Sequence, residues 1–231
     1  MGYKLFRFAY DPTVTGIKKG GSQVEIDEQK YSNLSDYSRI EDFFLSHNYW
    51  GNWKEKRYFP EFEFEIHADL LRGAKLTSFV HYSPSFMSCL FLIDEKVEEM
   101  FSKFNLPPHR LYKTTFYKGD RPVTSSYKLF CSPLMAYENI VDFKESVFFT
   151  GTRILGKKYH KITNLEEFKN FPDHLHVETL ALNKNFDSSL DIYSGRIGGF
   201  QFSDRLAEAI EQSGFTGIRL SENADPQLRI L

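Results

Sequence analysis

Between Phe200 and Leu220 the chain carries an uninterrupted set of local signals. An apolar run, Phe200-Gln201-Phe202, meets Ser203; Leu206, Ala209 and Ile210 follow at helical spacing; Gly214 ends that stretch; and Phe215-Thr216-Gly217-Ile218-Arg219-Leu220 resumes an extended pattern. A serine hydroxyl accepts from the unbonded N–H groups of a helix's first turn, and glycine leaves a helix through the left-handed region without a Cβ penalty. The order predicts strand, capped helix and strand. A chain built from such pieces lays helices against sheets. Leu206, not Glu or Gln, stands three residues after Ser203, so the cap lacks the reciprocal half of a capping box.

A second stretch has the same grammar. Phe91-Leu92-Ile93-Asp94-Glu95-Lys96-Val97 overlays Phe200-Gln201-Phe202-Ser203-Asp204-Arg205-Leu206, and the phase then brings Glu99 onto Glu208, Asn105 onto Gly214 and Leu106 onto Phe215. Two generic strand–cap–helix units and a true duplication explain this match equally well. The chain reads as a single module over 1–231; a duplication would divide it into two related lobes, 1–120 and 121–231. No linker rich in Gly, Ser or Pro separates them.

Elsewhere Tyr3–Tyr10, Ser22–Asp27, Arg110–Phe116, Tyr127–Cys131 and His174–Leu182 read as strands, and Lys18-Lys19-Gly20-Gly21 reads as a turn. Ser38-x-x-Glu41 and Thr163-x-x-Glu166 have capping-box spacing; the first predicts a helix through about His47. Phe59-Pro60-Glu61-Phe62-Glu63-Phe64-Glu65-Ile66 alternates with period two, which predicts a strand with Phe62, Phe64 and Ile66 on one side and Glu61, Glu63 and Glu65 on the other. The expected fold class is α+β, with mixed or antiparallel sheets and a few short helices.

Composition narrows the class. Twenty-three Phe, 13 Tyr and 2 Trp make 16% of the chain, and each such ring removes roughly 150–250 Å² from water, so a large core forms and disorder is excluded. Cys89 and Cys131 lie among apolar residues without C-x-x-C spacing, which excludes a disulfide framework and a thiolate zinc site. Met1–Tyr10 lacks an uninterrupted apolar core, and the run Phe86–Ile93 is far shorter than the ~20 residues of a membrane span. A cytoplasmic protein with no membrane partner is expected.

The chain has no G-x-S-x-G elbow, Walker loop, dinucleotide fingerprint or H-E-x-x-H, so no catalytic residue, cofactor or metal is expected. Gly195-Arg196-Ile197-Gly198-Gly199 precedes a strand instead of a helix and reads as a flexible turn, not a phosphate cradle. His174-x-His176 with His67-x-Asp69 offers a metal-dependent hydrolase as an alternative. The net charge of −2 hides blocks: 3 basic and 8 acidic residues in 61–100, against 12 and 6 in 101–170. That basic block, with Tyr112, Phe116, Tyr117, Tyr127 and Tyr159 interleaved, offers single-strand nucleic-acid binding as another alternative, although rings at strand spacing usually form core; no nucleic-acid partner is expected. Three carboxylates on one strand face repel each other and gain most from a cationic partner; a charge-guarded sheet edge gives the same pattern.

The segment Phe200–Leu220 resembles the end of immunity proteins of bacterial polymorphic toxin systems, families first catalogued as domains of unknown function. These close with a strand, a Ser-capped helix and a Gly-x-Thr-Gly strand, and Ser203, Arg205, Leu206, Gly214, Thr216 and Gly217 match. Leu92–Leu106 is similar to the family's earlier strand and capped helix, and Tyr127-Lys128-Leu129-Phe130 with Ile140–Ser146 resembles its Asp-x-x-x-Ser segment. The likeness spans roughly residues 85–222, and the first 80 residues have no counterpart. It implies a non-catalytic inhibitor of a cognate toxin. The matched residues are explained by folding alone, so the contacts fall on exposed charge and loops, with Glu61, Glu63 and Glu65 as the toxin-binding candidates.

Overall fold

The structure, a computed structural model, describes residues 2–18, 21–152, 154, 156–221 and 226–231. Among these residues the chain is α+β, with mixed and antiparallel sheets and short helices. The turn expected at Lys18–Gly21 rests on Lys19 and Gly20, which lie outside the described residues. The chain folds as two compact units. The larger comprises Phe8–Pro133 and Ser213–Arg219; the smaller takes the N-terminal residues through Arg7, Leu134–Gln212 and Leu220–Leu231.

The first strand, β1 (Tyr3–Phe8), opens the smaller unit. The larger unit then contains α1 (Pro12–Thr15), β2 (Val24–Ile26), α2 (Leu34–Phe44), α3 (Ser46–Lys54), β3 (Ile66–Leu70), β4 (Phe79–Val80), β5 (Tyr82–Ser83), β6 (Cys89–Asp94), α4 (Glu95–Phe101), β7 (Arg110–Lys118) and β8 (Arg121–Cys131). Its sheet runs β4-β6-β8-β7-β3-β2-β5, with β3 parallel to β7 and β2 parallel to β5. Strand β6 is buried from Cys89 to Ile93 because both its faces are covered. On one face Leu92 joins Val24, Ile66, Ala68, Phe116 and Leu129; on the other Phe91 packs against Phe79, Phe101 and Phe130.

Two expectations about helix starts shift. Helix α2 begins at Leu34, where the Asn33 side chain accepts from the Ser35 N–H (3.0 Å), so Ser38 and Glu41 lie inside the helix and form no capping box. Tyr37, Ile40 and Phe44 set its buried stripe, and that phase requires the earlier start. Helix α3 follows after Leu45 alone; it has no strong apolar stripe to announce it, and only Tyr49 is fully withdrawn from solvent.

The lobe boundary expected after residue 120 falls at the tip of the β7–β8 hairpin, where Lys118 pairs with Arg121. The chain passes between units after Pro133 instead. The smaller unit continues with α5 (Tyr137–Ile140), β9 (Val147–Thr152), β10 (Gly156–His160), α6 (Leu165–Lys169), β11 (His176–Leu182), β12 (Ile192–Gly195), β13 (Gly199–Ser203) and α7 (Asp204–Gln212). Strand β14 (Ile218–Ser221) leads the chain back, and β15 (Gln227–Ile230) closes it. Antiparallel β12, β13 and β1 form one ladder, while β10-β9-β11-β15 form another with β11 and β15 parallel. Phe143, Phe148, Leu180, Leu182, Phe186 and Tyr193 fill this unit's core. The cap of α6 is Asn164, one residue later than expected. Its Oδ1 accepts from the Glu167 N–H (2.9 Å), and the Glu167 carboxylate reaches back past the cap to accept from the Thr163 N–H (2.7 Å), a variant of the box in which the return bond goes to the residue before the cap.

Candidate functional site

The acidic segment 59–65 is not a strand; ladder pairing begins only at Ile66. Side chains replace the ladder. Pro60 has no N–H to give, its carbonyl accepts from Arg110 Nη1 (3.0 Å), and the Arg110 guanidinium lies 5.0 Å from the Phe59 ring centre. Phe64 stacks on Tyr112 with ring centres 4.0 Å apart. The alternation survives without the strand: Phe62 and Phe64 pack on the core, and Glu61 and Glu63 are exposed. Glu65 departs from the expected row. Its carboxylate accepts from the Thr115 hydroxyl and lies 3.3 Å from Lys113 Nζ, so it serves β7 rather than solvent.

Phe62 is the centre of this surface. The Arg39 guanidinium from α2 stacks over its ring at 4.1 Å and lies 3.9 Å from Asp36. A hollow of about 260 Å³ opens beside Phe62, walled by Tyr31, Asp36, Phe64, Glu63 and His67. A second, of about 430 Å³, lies between α2, α3 and Phe62, with Asp42, His47, Asn52 and Arg57 at its edges. The surface thus combines an aromatic–arginine pair, two flanking concavities and carboxylates at their edges. Sequence reading found Glu61 and Glu63 and missed Asp36, Arg39 and α3. The available signal was the i,i+3 pair Asp36 and Arg39, visible once Asn33 is taken as the cap.

The residues of the metal alternative are not assembled. His67 and Asp69 belong to the larger unit, His174 and His176 to the smaller, and no three His, Cys, Asp or Glu side chains among the described residues are grouped to hold a metal. His67 Nδ1 is 3.1 Å from the Tyr117 hydroxyl, and the Tyr31 ring meets the imidazole edge-on. Burial holds the His67 pKa below its ordinary value. Asp69 faces Lys30, which also reaches Asp27 and Asp120, and burial raises the Asp69 carboxyl. The basic block 101–170 is likewise divided between the units. Tyr112, Phe116 and Tyr127 are buried, and Tyr117 is committed to His67. Of the five rings named for that surface only Tyr159 is exposed, so they form no row of stacking platforms.

The motif residues that carry the family resemblance have structural roles. Ser203 Oγ accepts from the Leu206 N–H (3.2 Å), as a cap should, and donates to Asp191 Oδ1 (2.6 Å). Asp191 is fully buried; Arg205 Nε reaches the same oxygen at 3.0 Å and a terminal guanidinium nitrogen meets Oδ2. Leu206 is buried against the sheet. Gly214 takes a φ of +66° after α7. In the larger unit the Thr216 carbonyl accepts from the Phe79 N–H (3.0 Å), and Gly217, at φ +87°, comes so close to the Phe79 carbonyl that a Cβ would collide with it. The Asp-x-x-x-Ser segment is a turn: Asp142 Oδ1 accepts from the N–H groups of Lys144 and Glu145, and Ser146 Oγ accepts from the Ala181 N–H of β11.

A scan against protein-family models and a search of curated proteins each returned no match to the chain. Among the described residues no helix is long and apolar enough to cross a membrane.

Proposed function

We propose that this chain is a cytoplasmic, non-catalytic immunity protein that binds and neutralises a bacterial toxin of a polymorphic toxin system. The observation that carries the reading is the closing segment Phe200–Leu220. Four of the six residues matched to that family there also do physical work in the fold: Ser203 by capping, Arg205 by neutralising a buried carboxylate, Leu206 by filling the core and Gly217 by allowing close backbone approach. The recognition surface is the Phe62 ridge with Glu61, Glu63, Arg39 and Asp36. Exposed carboxylates around an aromatic–arginine pair suit a basic cleft on the toxin, where they would occupy phosphate positions if the toxin is a nuclease. Glu65 drops out of the contact set because Thr115 and Lys113 already engage it.

The test is whether the gene beside this chain's encodes a toxin domain and whether the two proteins form a complex, followed by association kinetics at several salt concentrations. Wild type is expected to bind, with an association rate that falls as salt rises. Double charge reversal, E61K/E63K, is expected to slow association about tenfold at low salt and to flatten the salt dependence. Binding with unchanged kinetics in the double variant removes the surface assignment, and absence of a complex removes the reading itself.

A further inference from the structure

The smaller unit contains a cleft of about 710 Å³ that the proposed recognition surface does not use. It gathers two sequence features with no other role: the glycine cluster Gly195–Gly199 and the pair His174-x-His176. Its walls are rings held by other rings. Phe149 carries His176 stacked on it (centres 5.3 Å, 23° between planes), His174 stands perpendicular to His176 (4.8 Å, 87°), and Phe171 meets His160 edge-on (4.7 Å). Phe168 completes the wall against Tyr137 and Phe148. His174 and His176 are exposed at the opening, where they contact each other edge to face and extend the aromatic wall toward solvent.

The glycine cluster forms the opposite rim and is held in place, contrary to the flexible turn its composition predicts. It is the turn between β12 and β13, with Gly195 paired to Gly199. The buried Tyr193 hydroxyl donates to the Ile197 carbonyl (2.7 Å), crossing a space that a Cβ on Gly195 would fill. The buried Gln201 amide donates to the carbonyls of Gly198 (3.2 Å) and Pro226 (2.9 Å). This clamp presents the exposed Arg196 at the mouth of the cleft. Lys169 lies on the same lining, 3.7 Å from Glu138, and Asp173 is the one carboxylate among the described residues of the lining. Arg196 carries a planar donor fork on this clamped turn.

We propose that this cleft binds a planar aromatic anion of mononucleotide size, with the ring against the aromatic wall at Phe171, His174 and His176 and the anionic group on Arg196. A cleft within roughly 300–1,000 Å³, lined by aromatic side chains with a few convergent polar groups on rigid supports, is the usual form of a small-ligand site. Ring stacking provides affinity without base identity, and the guanidinium recognises phosphate. The inference is independent of toxin binding, since it rests on other residues in the other unit.

The probe is AMP, titrated calorimetrically into the full chain, with adenosine and inorganic phosphate as comparators. AMP is expected to bind once per chain, adenosine more weakly and phosphate weakest. R196A is expected to lower AMP affinity about tenfold or more while leaving adenosine unchanged, and R196K to recover part of the loss. H176A is expected to weaken AMP and adenosine alike. Far-UV circular dichroism of each variant confirms that the fold is retained. No saturable AMP binding at millimolar concentration, AMP affinity equal in wild type, R196A and H176A, or phosphate binding as tightly as AMP would each overturn the proposal.

Discussion

The two strand–helix junctions, β6 into α4 and β13 into α7, have the same grammar and different anchoring. In each, the last strand residue caps the helix by accepting from the N–H three residues on: Asp94 from Val97 at 2.9 Å and Ser203 from Leu206 at 3.2 Å. Asp94 meets that N–H with its own charge and is partly solvated. Ser203 has a second role, because its hydroxyl donates to Asp191, a buried carboxylate that Arg205 also engages. A cap in one unit is a local device; in the other it is one vertex of a network tying β12's approach, β13 and α7 together. Similar sequence patterns therefore predict similar local structure and unequal energetic weight.

Mutations at the two junctions will therefore separate widely. The largest effect is expected from R205M, which removes the guanidinium from the buried Asp191 carboxylate and leaves Ser203 donating to it. D191N should cost clearly less, since Arg205 is largely exposed and regains water. Denaturant unfolding measures both, and a D191N loss equal to or larger than that of R205M breaks the network account. L206A, at a fully buried helix position, should cost about 3 kcal/mol through lost burial and a cavity.

The caps themselves come next. S203A should cost about 2 kcal/mol, because it removes the cap and one donor to Asp191, whereas D94A should cost about 1 kcal/mol for a cap alone. Equal costs would show that Asp191 does not depend on Ser203. The smallest expected effect is on pH dependence in the larger unit. Burial depresses the His67 and His81 pKa values in the folded chain, so the unfolded chain binds protons more readily between the lowered values and the ordinary value near 6.5. Stability should be full above that ordinary value and fall as pH drops through the lowered ones. H67Q should flatten the slope below the ordinary histidine value, and an unchanged slope would assign it to other groups.

The same contrast explains what was legible beforehand. Asp94 and Ser203 were readable because a cap residue, an acidic first turn and a helical apolar phase coincide within a few positions. Asp191 was not, because nothing local separates a buried aspartate from a surface one; only the fold brings Ser203 and Arg205 to it. The segment 59–65 has the period of a strand, yet Pro60 cannot donate and Arg110, Lys113 and Thr115 take up its polar groups, so the faces were right and the ladder was not. The outward positions of Glu61 and Glu63 could be read from alternation. The Arg39–Phe62 pair and the hollows beside it depend on α2 packing against that segment, a long-range event without a sequence period. In the smaller unit, the Gly195–Gly199 cluster looked flexible because glycine permits many conformations, and only Tyr193 and Gln201 reveal which one is held.

The central claim, a non-catalytic partner-neutralising protein that recognises through the Phe62 ridge, is tested most directly by growth rescue. The neighbouring toxin domain is expressed in bacteria with wild type, E61K/E63K or R196A at matched levels. Wild type and R196A are predicted to restore growth, and E61K/E63K to restore it poorly while remaining folded. Failure of wild type to rescue, or full rescue by E61K/E63K, would contradict the claim.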